Sequence, residues 1–327
     1  MLSLLVALLP SPALASEPDA VGRAADPKIV QGSEESGYDF AVALGAEFNG
    51  TAFASCTGSL ITPRIILTAA HCGADLSPEL IVALGKAFFG PSVDAPTATI
   101  GFTSFTAHPA YEELENGLGG TLGHNDVSIA VLSEDAPVAP VWVRDDVVSE
   151  DEIGTAMTSI GFGITNAQRQ SGSGVKRSAT LLLSDVDETF LYSENDGNPD
   201  GGQICSGDSG GPQVVRLPDG RVEQWAVHSW GDSRCMQISG STRVDVVMPW
   251  ILEQVEAVHG GTDFCAINGY HANGACDDFC GADPECLVAE DEVEEESKGA
   301  CSTVPVESVG VVGMVLAAVA GLRRRRR

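Results

Sequence analysis

The chain has 327 residues, with 46 Asp and Glu against 18 Lys and Arg, a formal net charge of −28. Such an acidic chain repels phosphate backbones, which excludes nucleic acid as a partner. The length leaves room for one domain with appendages, and nine cysteines in short-spaced groups point to an oxidising compartment.

Met1 to Leu9 is an apolar stretch too short to span a bilayer, followed by Pro10, Pro12 and the small-x-small pattern Ala13-Leu14-Ala15. Residues 1–15 therefore read as a signal peptide, although no Lys or Arg precedes the apolar stretch. Residues 16–28 are polar, with nothing to bury, and end at the junction Lys28-Ile29-Val30-Gln31-Gly32. From Ile29 to Leu132 short β-branched runs are cut by Gly, Pro and Asn, the pattern of an antiparallel barrel. Within this stretch Ser59 to His71 reads as one β-branched strand ending in Ala69-Ala70-His71-Cys72, bracketed by Cys56 and Cys72. Asp126 then stands at the mouth of the apolar run Val127 to Leu132. His108 and His124 are rival bases without the Ala-Ala-His-Cys context.

Ala139 to Gly154 is an acidic, polar crossing with Trp142 as an anchor, and Thr155 to Leu183 restarts the strands around Gly161-Phe162-Gly163. Ala167 to Lys176 reads as a mobile Gly/Ser-rich loop. The acidic stretch Glu188 to Gly202 leads into Cys205-Ser206-Gly207-Asp208-Ser209-Gly210-Gly211-Pro212. A Ser flanked by Gly and Asp fits a tight turn, where glycines accept unusual backbone angles and let a carbonyl approach the backbone N–H groups. Ser209 is the candidate nucleophile; read alone, the tetrapeptide is an ordinary surface turn. A hydroxyl of this kind needs a base, and the base needs an acceptor that fixes its tautomer; His71 and Asp126 supply both.

Three motifs in the order His71, Asp126, Ser209 resemble the chymotrypsin/trypsin-like serine endopeptidases, over about Ile29 to His259. The resemblance implies an all-β fold of two antiparallel six-stranded β-barrels with a C-terminal helix and the active site between them. It implies disulfides Cys56–Cys72 and Cys205–Cys235, and an oxyanion hole of the Gly207 and Ser209 N–H groups. Lys28-Ile29 resembles the family's activation junction: cutting there by an activating protease would free the Ile29 α-amine to pair with Asp208. Val227-His228-Ser229-Trp230-Gly231 resembles the strand that binds substrate backbone by strand addition. Thr242 to Leu252 resembles the final strand and closing helix, docked by Trp250, Leu252 and Val255.

At the pocket floor, where trypsin-like members carry an Asp, the matching residue is Gln203, so cleavage after Lys or Arg is not expected. Ser206 and His228 fall where glutamate-specific members hold a carboxylate, but Gly231 replaces a third partner, a Ser. The expectation is a preference for Glu, with His228 protonated, or for a neutral residue. The alternatives to an enzyme are a catalytically silent homologue that binds, which usually lacks one of the three catalytic residues, or a working cysteine-rich tail delivered by the protease.

Residues 262–287 hold Cys265, Cys276, Cys280 and Cys286 among too few apolar residues for a core, so two disulfides are expected, with three pairings open. No cofactor or metal is called for by the chemistry. Asp277, Asp278, Asp283 and Glu285 offer oxygen ligands to calcium, at spacings that match no EF-hand loop. Residues 288–300 form an acidic spacer. Residues 301–327, with Cys301, the apolar run Val309 to Leu322 and Arg323 to Arg327, resemble the C-terminal sorting tails of myxobacterial surface proteins. The chain is thus expected to be exported and monomeric, either secreted or held at a membrane or cell surface by its tail.

Overall fold

The computed structural model describes residues 29, 32–115, 121–194, 202–277, 279–281 and 283–286. The signal peptide, the propeptide with Lys28, Asp278, the acidic spacer and the tail with Cys301 lie outside the described residues. The chain divides into one unit ending at Tyr270 and a second beginning at His271.

After β1 (Ser33–Glu34), strands β2 (Ala41–Phe48), β3 (Thr51–Thr62) and β4 (Ile65–Thr68) run antiparallel. The β-branched run 59–71 is therefore two strands and not the single one its composition suggests. Pro63 cannot continue a ladder, and Thr62 Oγ1 accepts a bond from Ile65 N at 3.0 Å, which closes the turn. A 3₁₀ turn, Ala70–Cys72, then carries His71. Helix α1 (Pro78–Leu84), capped by Ser77 whose side chain accepts from Leu80 N, was not legible in the sequence. Strands β5 (Gly85–Phe89), β6 (Ala98–Ala107) and, beyond the hairpin β7 (Glu112–Glu115) and β8 (Thr121–His124), β9 (Ser128–Leu132) complete a closed six-stranded barrel in the order β2-β3-β4-β9-β6-β5. Leu60, Ile66, Ile129, Leu132 and Phe89 fill it.

The crossing contributes β10 (Trp142–Val143), which pairs in parallel with the later strand β15 (Val222–Gly231). The second barrel is built from β11 (Ala156–Gly161), β12 (Arg177–Val186), β13 (Phe190–Glu194), β14 (Pro212–Arg216), β15 and β16 (Ile238–Arg243). The order β12-β11-β14-β15-β16-β13 closes because β13 also pairs with β12. Met157, Leu183, Leu191 and Trp225 are its core. The loop before β12 is pinned: Ser92 bridges Val175, and Lys176 is buried with its ammonium on Tyr38 O at 3.1 Å. Helix α2 (Val244–His259) buries Val247, Trp250, Ile251 and Val255, one helical face, and ends at the left-handed Gly260. Among the described residues no helix is long and apolar enough to cross a membrane.

Candidate active site

Asp126 opens β9 at the base of the β7–β8 hairpin and is 1% exposed. A buried carboxylate must be fully hydrogen-bonded, and this one is. Its Oδ1 accepts from His71 N at 2.9 Å, and its Oδ2 accepts from His71 Nδ1 at 2.7 Å and from Ser229 Oγ at 2.6 Å. A carboxylate only accepts, so the His71 proton sits on Nδ1 and Nε2 keeps its lone pair. Burial pulls the His71 pKa down, but the bond and charge of Asp126, with a smaller push from Glu113, outweigh it and leave the pKa raised. His108 stacks edge-on against Trp250 with ring centres 5.0 Å apart, and His124 is exposed beside Phe190; neither meets a carboxylate as His71 does.

Ser209 sits on a turn closed by Asp208 N to Cys205 O at 3.0 Å and Gly211 N to Asp208 O at 2.9 Å. Gly207 (φ +93°) and Gly210 (φ +80°) supply the left-handed angles the turn requires. A Cβ on Gly210 would fall 2.0 Å from Thr68 Oγ1 and 2.8 Å from Ala69 N, so the turn is wedged against the segment that delivers His71. Thr57 N donates to Ser209 O at 2.9 Å, and Cys72 Sγ lies 3.7 Å from the same oxygen. The Ser209 hydroxyl makes no hydrogen bond to His71 among the described residues; such bonds commonly tighten only with substrate bound. The N–H groups of Gly207 and Ser209 likewise meet no protein acceptor there, which leaves both open to an oxyanion. Disulfides Cys56–Cys72 and Cys205–Cys235 are both formed.

Asp208 is fully buried, accepting from Gly163 N at 2.8 Å and Cys205 N at 2.9 Å. Gly161 and Gly163 make room for it, since a Cβ on either would fall within 2.6 Å of the carboxyl group. Burial pushes its pKa up to about 7, against the two N–H bonds and the charge of Arg177. Ile29 is 1% exposed.

A cavity of about 230 Å³ opens beside Ser209, lined by Ser206, Ser229, Trp230, Gly231, Ile204 and the Cys205–Cys235 bridge. Gln203 and His228 are fully buried and do not line it. The Gln203 amide is spent on Ile204 N (2.9 Å) and Ser193 O (3.4 Å). The expectation of a protonated His228 is reversed in the unliganded chain: burial lowers its pKa to about 3. Its Nδ1 faces Ser241 Oγ at 3.2 Å, while Nε2 is buried without a partner.

In the second unit Cys276 and Cys286 form a disulfide. The acidic side chains expected to offer calcium ligands organise turns there: Asp283 accepts from Asp277 N at 2.7 Å and Glu285 N at 2.9 Å, and Glu285 from Gly274 N at 2.8 Å.

Several supports of the site have no local signature in the sequence. Ser229 was read as a substrate-binding residue, yet its hydroxyl serves Asp126 from 103 positions away. Thr57 Oγ1 donates to Gly207 O at 2.8 Å and accepts from Phe162 N at 3.0 Å, so one buried hydroxyl ties the turn to the Gly-Phe-Gly segment. Thr242 Oγ1 donates to Asp126 O at 3.2 Å.

Two barrels with such a group of side chains on the elements where they meet define a serine endopeptidase. The family profile named Trypsin matches residues 29–251, and the chain belongs to that family. It is 28% identical to the trypsin of Saccharopolyspora erythraea, over 62% of this chain and 87% of that one. Identity to a chymotrypsin of Phaedon cochleariae is 31%, over 65% of this chain and 75% of the relative. The CLIP domain-containing serine protease B10 of Anopheles gambiae is 28% identical, and the match spans 61% of either chain.

Proposed function

We propose that the chain is an exported, zymogen-type endopeptidase that cleaves after neutral side chains of medium size. In this reading His71 Nε2 takes the Ser209 proton as the hydroxyl attacks the peptide carbonyl, and later returns it to the leaving amine. Asp126 holds the imidazole tautomer and steadies the imidazolium. The Gly207 and Ser209 N–H groups hold the oxyanion.

The observation that carries the specificity is that the described residues lining the pocket offer no carboxylate free of hydrogen bonds. The one acidic residue among the described lining residues, Asp232, accepts from Gln237 N at 2.7 Å and from Arg234 N and Met236 N at 2.9 Å. A desolvated Lys or Arg would have to compete with these N–H groups for the one carboxylate among the described lining residues. Preference for Glu is the second reading, favoured by the unpartnered His228 Nε2 and by Ser206 in the lining. Cleavage profiling on peptide libraries separates them. Neutral residues of medium size before the scissile bond are expected. A Glu preference that His228→Val lowers by roughly 1.5–3 kcal/mol, the range for a lost charged hydrogen bond, would select the second reading, and cleavage after Lys or Arg would reject both.

Asp208 supports the zymogen part. Its folded pKa lies above its ordinary value, so in the uncut chain it adds stability that is fully present below about pH 4. That contribution is lost as pH rises through about 7. An α-ammonium freed at Ile29 would hold the carboxylate ionised and reverse the sign. The uncut Lys28→Gln chain should therefore be nearly inactive and melt higher at about pH 5 than at about pH 8, with Asp208→Asn flattening the difference. Full activity of a chain shown by N-terminal sequencing to be uncut rejects this part.

A further inference from the structure

Strands β2 and β3 meet at a two-residue turn that no step of the reaction uses. Phe48 pairs with Thr51 across it, and the residues between them, Asn49 (φ +52°) and Gly50 (φ +77°), both take left-handed backbone angles. Asn-Gly is the dipeptide such a hairpin turn favours, because Asn tolerates the left-handed region and Gly is free in it. Residues 47–51 are all exposed, and a Cβ on Gly50 would meet nothing within 4 Å.

The turn accounts for Asn49 and Gly50 but for neither of their neighbours. Thr51 completes Asn49-Gly50-Thr51, the only Asn-x-Ser/Thr tripeptide in the sequence, with no Pro in the middle. This tripeptide is the acceptor pattern for N-linked glycans, which are carried on surface loops of exported chains. The aromatic neighbours point the same way. Phe48 is 50% and Phe53 55% exposed, with ring centres 6.4 Å apart. Phe48 pairs with Thr51 and Ala46 with Phe53, so both rings stand on one face of the hairpin, since side chains alternate along a strand. Exposed apolar side chains gathered in this way mark a place where something is bound. A sugar ring fits them: its apolar face is a set of C–H groups, and these pack on the negative face of an aromatic ring.

We propose that Asn49 is the acceptor of an N-linked glycan whose first sugar packs on Phe48. In the transfer Asn49 Nδ2 bonds to the anomeric carbon of a sugar carried on a polyprenyl diphosphate. The bond from that carbon to the diphosphate oxygen breaks, its electron pair leaves with the carrier, and one Nδ2 proton passes to a base of the transferase. Nothing is oxidised or reduced. The carbohydrate then covers the apolar tip of the hairpin. The proposal rests on the export part of the reading above, because the acceptor pattern is used in chains that leave the cell.

The test is peptide mass spectrometry of the full chain isolated from the cells that make it, with the N-terminus and the disulfides determined on the same sample. The expected result is a peptide in which Asn49 carries one or more sugars. Thr51→Ser should keep the adduct and Thr51→Ala should lose it, while Asn49 stays in place to hold the turn. Loss of the glycan should lower the melting temperature by about 2–4 °C where Phe48 is present. In Phe48→Ala the same loss should change it little, which is the coupling that packing on the ring requires. Asn49 bare, or merely converted to Asp, in a chain that has lost residues 1–15 and formed its disulfides overturns the proposal. So does an adduct that Thr51→Ala retains, or a melting shift that is the same with and without Phe48. A chain that keeps residues 1–15 and free thiols means instead that the export reading has fallen, and the proposal falls with it.

Discussion

Ser209→Ala should lower kcat by about 10⁶-fold, the scale seen when a serine hydrolase loses its nucleophile, while leaving the melting temperature within a degree or two of wild type. The separation follows from what each atom of Ser209 does. Its backbone carbonyl is held by Thr57 N at 2.9 Å and the turn by its own bonds, whereas the hydroxyl has no hydrogen-bond partner among the described residues. The side chain contributes chemistry and almost nothing to the fold. Steady-state kinetics beside a thermal melt measure both. A loss of stability in step with activity would mean that Ser209 is a structural residue of the turn.

Asp126→Asn is expected to cost about 10⁴-fold in kcat, by a different route. The carboxylate fixes the His71 proton on Nδ1; an amide presents an NH₂ to the same nitrogen, moves the proton to Nε2 and leaves the base without a lone pair toward Ser209. The pH profile should move as well. His71 owes its raised pKa to Asp126 and Glu113, whose effects outweigh its burial. The wild-type acid limb should therefore lie above the ordinary imidazole value of about 6.5 and shift down in the variant. The Ser229 hydroxyl, 2.6 Å from Asp126 Oδ2, is buried with the pair, so a modest fall in stability accompanies the loss. An unshifted acid limb would show that some other group titrates in the profile.

These effects are readable because the motifs that carry them are local. Ala-Ala-His-Cys, the Asp at the mouth of an apolar run and Gly-Asp-Ser-Gly each announce themselves within a few residues, and β-branched runs cut by turn residues give the barrels. What stayed hidden depends on distant parts of the chain meeting. The split at Pro63 was visible in principle, yet the apolar continuity of 59–71 masked it. Helix α1 has no long amphipathic repeat, only a Ser77 cap followed by Pro78. The burial of Gln203 and His228 behind the pocket wall follows from strand pairing in the second barrel, which spacing cannot supply. Exposure was the least legible property: nothing in the sequence marks Phe53 and Leu80 as large apolar residues that stand on the surface. The composition of 167–176 likewise does not reveal that Lys176, at its end, is anchored on Tyr38.

The central claim is that Ser209 is an activated nucleophile. Reaction of the active full chain with a fluorophosphonate, followed by peptide mass spectrometry, tests it most directly. One phosphonyl adduct per chain, located on Ser209 and absent from the His71→Ala variant, is the predicted result. No adduct on a chain whose N-terminal sequence begins at Ile29, or an adduct on any other residue, would contradict it.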